Sequence, residues 1–389
     1  MTTGSYNVRV DLIHGILWSK YKAGVFSQMH RLAADYGISI DFCQVAESDT
    51  DRMMLSGVDL GRHHYPFTLL FKGAYSRIPK GKLLSTLFWR VYRSDAELVL
   101  LPGFSELAHW GMLCGALLSG KKRAVFCDST LRDRPQSWFK GVLKRLYFGL
   151  CNGYFTYGQR GREYLAHYGA NPEAIFQRVQ AAALPDGYSA QGARQARVSS
   201  PRVQNAPAFL YVGRLSPEKS VDVLLRAFMK VRAHYRNATL RVVGAGTQRE
   251  ELIQLRDQLG LAAYVAFVGS LDLEALASEY ARATCFVLPS RSEPWGLVVN
   301  EALSYGCPVV VSDNCGCSPE LVHEGVTGFV FETDNIGDLE EKLLAASNGF
   351  IDASISAQHC LDLISAYTPE RAAHETLRGC VKILSWPKQ

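Results

Sequence analysis

The chain has no apolar run approaching the roughly 20 residues that a membrane-crossing helix needs, which excludes an integral helical membrane protein. Its first residues, MTTGSYNVRVDLI, lack the basic region, long apolar stretch and cleavage site of a secretory leader, so a cytoplasmic chain is expected. Close cysteine pairs are nearly absent: of 10 cysteines only Cys315 and Cys317 approach each other, across one glycine and without a second pair. That spacing is poor for zinc, so no metal and a turn of small residues are expected there. Cys43, Cys114, Cys285 and Cys307 lie in apolar runs and suit buried reduced thiols. No internal repeat or low-complexity tract is visible. Acid is in short supply in the first half only: residues 1–200 carry 25 Lys and Arg against 15 Asp and Glu, and residues 201–389 carry 17 against 22. A basic half suits an anionic partner such as a lipid surface, a polyphosphate or a nucleic acid, and charge alone does not choose among them.

What is present fits a globular chain. With 389 residues, the sequence exceeds what one core normally covers, so two domains are expected. Asn7 to Ile13, Ile38 to Val45, Glu97 to Leu101, Arg123 to Phe126, Tyr154 to Tyr157 and Ile175 to Val179 read as strands. A helical pattern runs from Phe26 to Tyr36 and stops at Gly37. Strands alternating with helices predict an α/β fold with a parallel, doubly wound sheet. Residues 185–207, poor in large apolar side chains, read as a linker. Beyond it, Phe209 to Val212, Leu240 to Val243 and Val265 to Val268 read as strands, with a helix over Val221 to His234. Asp338 to Leu344 and Ser365 to Leu384 read as helical.

The stretch Cys285 to Pro319 organises the second half as strand, loop, helix and strand. Its loop falls at the carboxyl end of a parallel strand, where open α/β sheets hold ligands. Gly296, Leu297 and Val298 then present backbone N–H groups at a helix start, where an anion fits. Glu293 lies in the loop and Glu301 on the helix, with seven residues between them. Glu301 shares its helix face with Leu297, Val298 and Ala302, a poor setting for a core acid and a good one for accepting vicinal hydroxyls such as those of a ribose.

The segment Glu-Pro-Trp-Gly-Leu-Val-Val-Asn-Glu-Ala from Glu293 resembles the donor-binding signature of the retaining glycosyltransferases of family 4. The resemblance is strong from Phe209 to about Leu344. It implies the GT-B fold: two Rossmann-like domains facing a central cleft, an acceptor domain over residues 1–184, a donor domain over residues 208–367, and a last helix over residues 368–389 that crosses back to the first domain. It further implies transfer from a nucleotide-diphosphate sugar to a hydroxyl of a glycan or lipid-linked acceptor in cell-envelope polysaccharide synthesis. Neither a metal, nor another cofactor, nor a nucleic acid is expected. Arg214 and Lys219, in the loop after a strand that ends before Gly213, would stabilise the leaving diphosphate. Glu293 would hold hydroxyls of the transferred sugar, Glu301 those of the nucleotide, and Gly244 and Gly246 would lie under the phosphates. Ser270 and Leu271 match a loop that contacts the base. In the first domain Ala23-Gly24 stands where the family usually has two glycines, and Gly24 is expected in a loop near a phosphate or the acceptor. Cys127-Asp128 stands where many relatives have a histidine. Asp128 either orients the acceptor hydroxyl or the sugar, or caps the next segment; His14 and His109 are alternatives.

Two stretches, Arg77 to Arg93 and Ser137 to Leu150, mix Trp, Phe, Leu and Tyr with Lys and Arg at helical spacing. Each is either an ordinary helix packed on the sheet or a basic amphipathic helix on an anionic membrane surface, in which case the chain would sit at the inner face of a membrane. Three other functions use the same residues: a nucleotide-sugar epimerase, a phosphorylase, and a non-catalytic nucleotide-sugar sensor.

Overall fold

A computed structural model describes residues 8–50, 57–133, 137–200 and 206–387. The chain divides into two compact units. The first comprises Met1–Leu131, Pro135–Ala181 and Tyr367–Gln389, and the second Arg132–Arg134 and Ala182–Ala366.

In the first unit, seven parallel strands lie in the order β3-β2-β1-β4-β5-β6-β7: β1 (Val8–Ile16), β2 (Ile38–Ser48), β3 (Phe67–Ala74), β4 (Leu98–Leu101), β5 (Lys122–Cys127), β6 (Gly153–Thr156) and β7 (Ile175–Phe176). Helices α1 (Lys20–Leu32), α2 (Lys80–Arg93), α3 (Leu107–Leu118), α4 (Trp138–Gly149) and α5 (Gln159–His167) connect them. The strands β4 and β6 are buried along their whole length, as a parallel sheet covered on both faces requires. Edge strand β3 escapes sequence reading because its alternation is interrupted, and its burial is correspondingly partial.

The second unit has six parallel strands in the order β10-β9-β8-β11-β12-β13: β8 (Ala208–Val212), β9 (Thr239–Val243), β10 (Val265–Gly269), β11 (Cys285–Leu288), β12 (Val309–Ser312) and β13 (Gly328–Phe331). Its helices are α6 (Ala190–Ser199), α7 (Val221–His234), α8 (Arg249–Gln258), α9 (Leu273–Arg282), α10 (Leu297–Ser304), α11 (Ser318–Leu321), α12 (Ile336–Gly349) and α13 (Ala353–Ile364). A final helix, α14 (Pro369–Ser385), belongs to the first unit.

The residues read as a linker are largely structured, although 201–205 lie outside the described residues. Ser189 caps α6 by accepting from the Gly192 N–H. The fully buried Arg197 donates to the carbonyls of Tyr280 and Ala283 at 3.0 Å and of Thr284 at 3.3 Å. These are the orphan acceptors at the end of α9, so a polar-looking sequence becomes a docked helix. The helical run read from Ser365 begins instead at Pro369, where the Thr368 side chain caps α14. In the first unit Lys122 plays the same part as Arg197: its ammonium donates to the carbonyls of Ile383 and Leu384 at 2.8 Å and to that of Trp386, pinning the end of α14 to β5.

Both sheets have a point where connections turn in opposite directions, between β1 and β4 in the first and between β8 and β11 in the second. At each, the loops at the carboxyl ends of the two strands diverge and leave a crevice.

Candidate active site

The second unit's crevice is walled by the loop after β8 and the loop after β11. Across it, the Lys219 ammonium meets the Glu293 carboxylate at 2.5 Å, with 11% and 15% of the two side chains exposed. Solvent screens a pair this enclosed far less than a surface pair, and removing either partner leaves an uncompensated charge. Arg291 ties the same two loops together: its N–H donates to the Glu218 carbonyl at 2.8 Å and its guanidinium to the Pro217 carbonyl at 3.1 Å and the Asp334 carboxylate at 2.7 Å. Sequence reading passed over Arg291, although it lies two residues from Glu293. Arg214, expected beside Lys219, pairs with Glu218 at 2.9 Å and stays half exposed. The Tyr211 hydroxyl donates to the Arg214 carbonyl at 2.6 Å and fixes the turn that carries it.

The floor of the crevice is backbone packed on backbone. Leu215 N–H donates to the Ala245 carbonyl at 2.9 Å and Gly213 N–H to that of Val243 at 3.0 Å. Gly244, at φ 134°, would place a Cβ only 1.8 Å from the Gly213 carbonyl oxygen, so no other residue fits. Gly244 N–H in turn donates to Gly269, bringing in the loop after β10 with exposed Ser270 and half-buried Leu271. Thus Gly213, Gly244, Gly246, Ser270 and Leu271 all belong to neighbouring loops at one edge of this sheet.

The Cys315-Gly316-Cys317 turn buttresses the Glu293 loop. Gly316 N–H donates to the Glu293 carbonyl at 2.8 Å and Cys317 N–H to that of Trp295 at 3.0 Å. A Cβ on Gly316 would meet the Pro294 carbonyl oxygen at 1.7 Å. Burial, then the nearby Glu293 carboxylate, pushes the Cys315 thiol up to about 12, so it stays protonated. All ten cysteines are free thiols. Among the described residues no group of three His, Cys, Asp or Glu side chains could hold a metal ion.

Gly296 precedes α10, and the N–H groups of Leu297 and Val298 lie in its first turn, where no preceding carbonyl of the helix can accept them. Trp295 anchors this entry by donating from its indole to buried Asn300 at 2.8 Å. On α10, Glu301 accepts from the Tyr280 hydroxyl at 3.2 Å. Desolvation raises its carboxyl to about 7, and the Tyr280 bond opposes that rise. The residue as a whole is half-buried. Tyr280 stacks on Tyr305 with ring centroids 5.5 Å apart, an aromatic support that sequence spacing did not reveal. A cavity of about 470 Å³ borders this stack at Tyr305 and includes Tyr188 and Glu274, and it holds none of the residues singled out from sequence. The structure therefore joins Lys219 to Glu293 and Arg214 to Glu218, and gives Glu301 a separate partner in Tyr280.

In the first unit, α1 begins at Lys20, six residues earlier than the sequence pattern suggests. Gly24 is therefore inside the helix, where a Cβ would lie 3.7 Å from Pro369 of α14, and not in a loop. Asp128 is exposed just beyond β5. His109 is a helix-capping residue: with Glu106 it forms a reciprocal capping box at the start of α3, and burial lowers its pKa. His14 Nδ1 lies 3.0 Å from the Gln44 side-chain carbonyl, at the end of β1.

Residues 193–349 match the sequence family described as Glycosyl transferases group 1. That match lies within the second unit. An uncharacterized glycosyltransferase of Methanocaldococcus jannaschii is 39% identical over 115 residues, covering 30% of this chain and 29% of that protein. The GDP-mannose-dependent alpha-(1-6)-phosphatidylinositol monomannoside mannosyltransferase of Mycolicibacterium smegmatis is 33% identical over 147 residues, covering 34% and 38%. These alignments span about a third of each relative's length. Over nearly the whole chain the fold is that of Anabaena HepE, solved in complex with UDP and glucose, with a TM-score of 0.69, 16% identity, and 98% of this chain and 100% of that one covered. The two parallel-sheet units have the GT-B architecture.

Proposed function

We propose that the chain is a retaining glycosyltransferase of family 4, moving a sugar from a nucleotide-diphosphate sugar to a hydroxyl of a glycan or lipid-linked acceptor in envelope polysaccharide synthesis. The observation that carries this reading is the enclosed Lys219–Glu293 pair in the crevice between β8 and β11, one strand-to-helix turn from Glu301. In the reaction, the bond from the anomeric carbon to the diphosphate oxygen breaks and a bond to the acceptor oxygen forms on the same face. The acceptor proton passes to the departing phosphate. Lys219 and Arg214 supply fixed positive charge to the leaving diphosphate in place of a metal, an arrangement costly to lose because it needs no reorganisation during the reaction. Glu293, with one oxygen engaged by Lys219, keeps the other for a hydroxyl of the sugar. Glu301 accepts from the nucleotide's ribose, and the N–H groups of Leu297 and Val298 face the phosphates or the sugar.

The relatives named above support a sugar-nucleotide donor, and one of them acts on a lipid-borne acceptor. A lipid acceptor suits the exposed face of α4. There Trp138, Phe139, Val142 and Leu146 are 82%, 60%, 53% and 53% exposed, beside Lys140 and Arg145. By comparison, α2 turns Leu83, Leu87 and Val91 inward and leaves Trp89 and Tyr92 47% and 40% exposed, a smaller apolar face than that of α4. We therefore assign α4 to an anionic membrane surface.

The test is release of nucleoside diphosphate with acceptor extracts. Lys219→Ala and Glu301→Ala should each lower turnover by about 10² or more while leaving the fold intact. Turnover like that of the unaltered protein in both variants would defeat the reading.

A further inference from the structure

Arg291 lies two residues before Glu293, and its donors are spent on the protein. Its backbone N–H donates to the Glu218 carbonyl at 2.8 Å and its guanidinium to the Pro217 carbonyl at 3.1 Å, so it holds the two carbonyls that come just before Lys219. The Nε–H of the same guanidinium faces both carboxylate oxygens of Asp334, in the turn after β13, at 2.7 and 2.9 Å. Asp222, in the first turn of α7, lies 3.6 Å away. The Arg291 carbonyl in turn accepts from the Asn314 side chain at 3.1 Å. Two left-handed backbone positions border this grip: Ser220, next to Lys219, at φ 50°, and Asp334 at φ 64°. A serine rarely stays in that region unless the surrounding structure holds it there.

We propose that Arg291 is a positioning residue of the donor site: it fixes the approach of Lys219 to Glu293 and touches no ligand itself. A lysine ammonium ends a flexible four-carbon stem, so where it points depends on how firmly its backbone is held. One residue sets both ends of the pair, because Glu293 follows Arg291 on the same loop and Lys219 follows the two carbonyls that Arg291 holds. With 40% of the Arg291 side chain exposed, neither of its ion pairs would fix the loops alone. The planar fork does so by meeting acceptors on the Lys219 turn, on α7 and after β13 at once, and a lysine in its place would keep the charge without the fork. Misplacing a reacting or stabilising group by about 1 Å can cost about 10² in rate, so this grip has chemical value beyond stability. The inference rests on the transferase reading, in which Lys219 faces the leaving diphosphate.

Titration calorimetry of the full chain with UDP-glucose and with GDP-mannose tests this in the unaltered protein, Arg291→Lys, Lys219→Met and the double variant. Whichever of the two binds the unaltered protein should bind Arg291→Lys about tenfold or more weakly. The same change added to Lys219→Met should cost nothing further, because the side chain that Arg291 positions is then gone. A residue acting through overall stability would change binding in neither background, and one touching the ligand directly would lose as much in both. Either result overturns the proposal and leaves the transferase reading intact. Asp334→Asn tolerates the left-handed turn without the charge; it should repeat part of the loss, and it serves if Arg291→Lys misfolds. Amide hydrogen exchange gives a readout that needs no ligand: over residues 217–221 it should quicken in Arg291→Lys, and unchanged exchange there counts against the proposal. If neither nucleotide-sugar binds the unaltered protein, exchange alone decides: quicker exchange keeps the positioning role, and the transferase reading is what fails.

Discussion

At the scale of single residues, the chemistry lies in charges that the fold has made expensive. Glu301 is the clearest case. Its folded carboxyl titrates near 7 against an ordinary 4.5, so between those values the folded protein holds a proton that the unfolded chain has lost. Its contribution to stability is therefore fully present below about pH 4.5 and is lost as pH rises through about 7, a cost on the order of 1–3 kcal/mol after allowing for partial exposure. Glu301→Gln should raise the unfolding free energy at pH 8 by that amount, with the difference shrinking toward pH 4, while donor binding is lost. Denaturant titrations at the two pH values check this; a variant less stable than the original at pH 8 would contradict it. That Glu301 is ill-suited to a core was legible from its apolar neighbours. Its support was not: Tyr280 lies 21 positions earlier on another helix, and only the folded chain brings the hydroxyl to 3.2 Å.

At the scale of elements, sequence periodicity located the central strands well, since β4, β11 and β12 are short apolar runs buried on both faces. It failed where polar side chains do structural work. Residues 190–199 look like linker because the residue that docks them, Arg197, is charged, and its value depends on the carbonyls it meets. The Cys-Gly-Cys turn was legible as a turn, but its service to Glu293 depends on contacts 22 residues apart. The mixed basic and aromatic sequence of α4 suggested two fates, and its exposed Trp138 and Phe139 support the membrane-facing one proposed above. Trp138→Ser with Phe139→Ser should abolish cosedimentation with vesicles rich in anionic lipid, and high salt should weaken binding of the unaltered chain. Binding that survives both changes, or no binding by the original protein at low salt, would remove α4 from the membrane.

At the scale of the whole molecule, two units of like topology each have a switch point in their sheet, and the enclosed Lys219–Glu293 pair lies at that of the second. The donor chemistry is proposed for the second, where Lys219 meets Glu293 and Arg214 meets Glu218. The parallel, doubly wound sheets were legible from alternating strands and helices, and the GT-B architecture from the resemblance of the segment starting at Glu293 to the family 4 signature. The division of labour within the crevice was not, because pairing Arg214 with Glu218 and Lys219 with Glu293 requires the geometry of two loops at once. A ligand that binds only the folded state must raise its unfolding temperature. The most direct measurement is thus a thermal-unfolding screen of nucleotide-sugars followed by titration of the stabilising one into the unaltered protein and Lys219→Met. At least one nucleotide-diphosphate sugar should stabilise the protein, and it should bind the variant about tenfold or more weakly. Stabilisation by none, or equal affinity in both proteins, would contradict a donor site at Lys219.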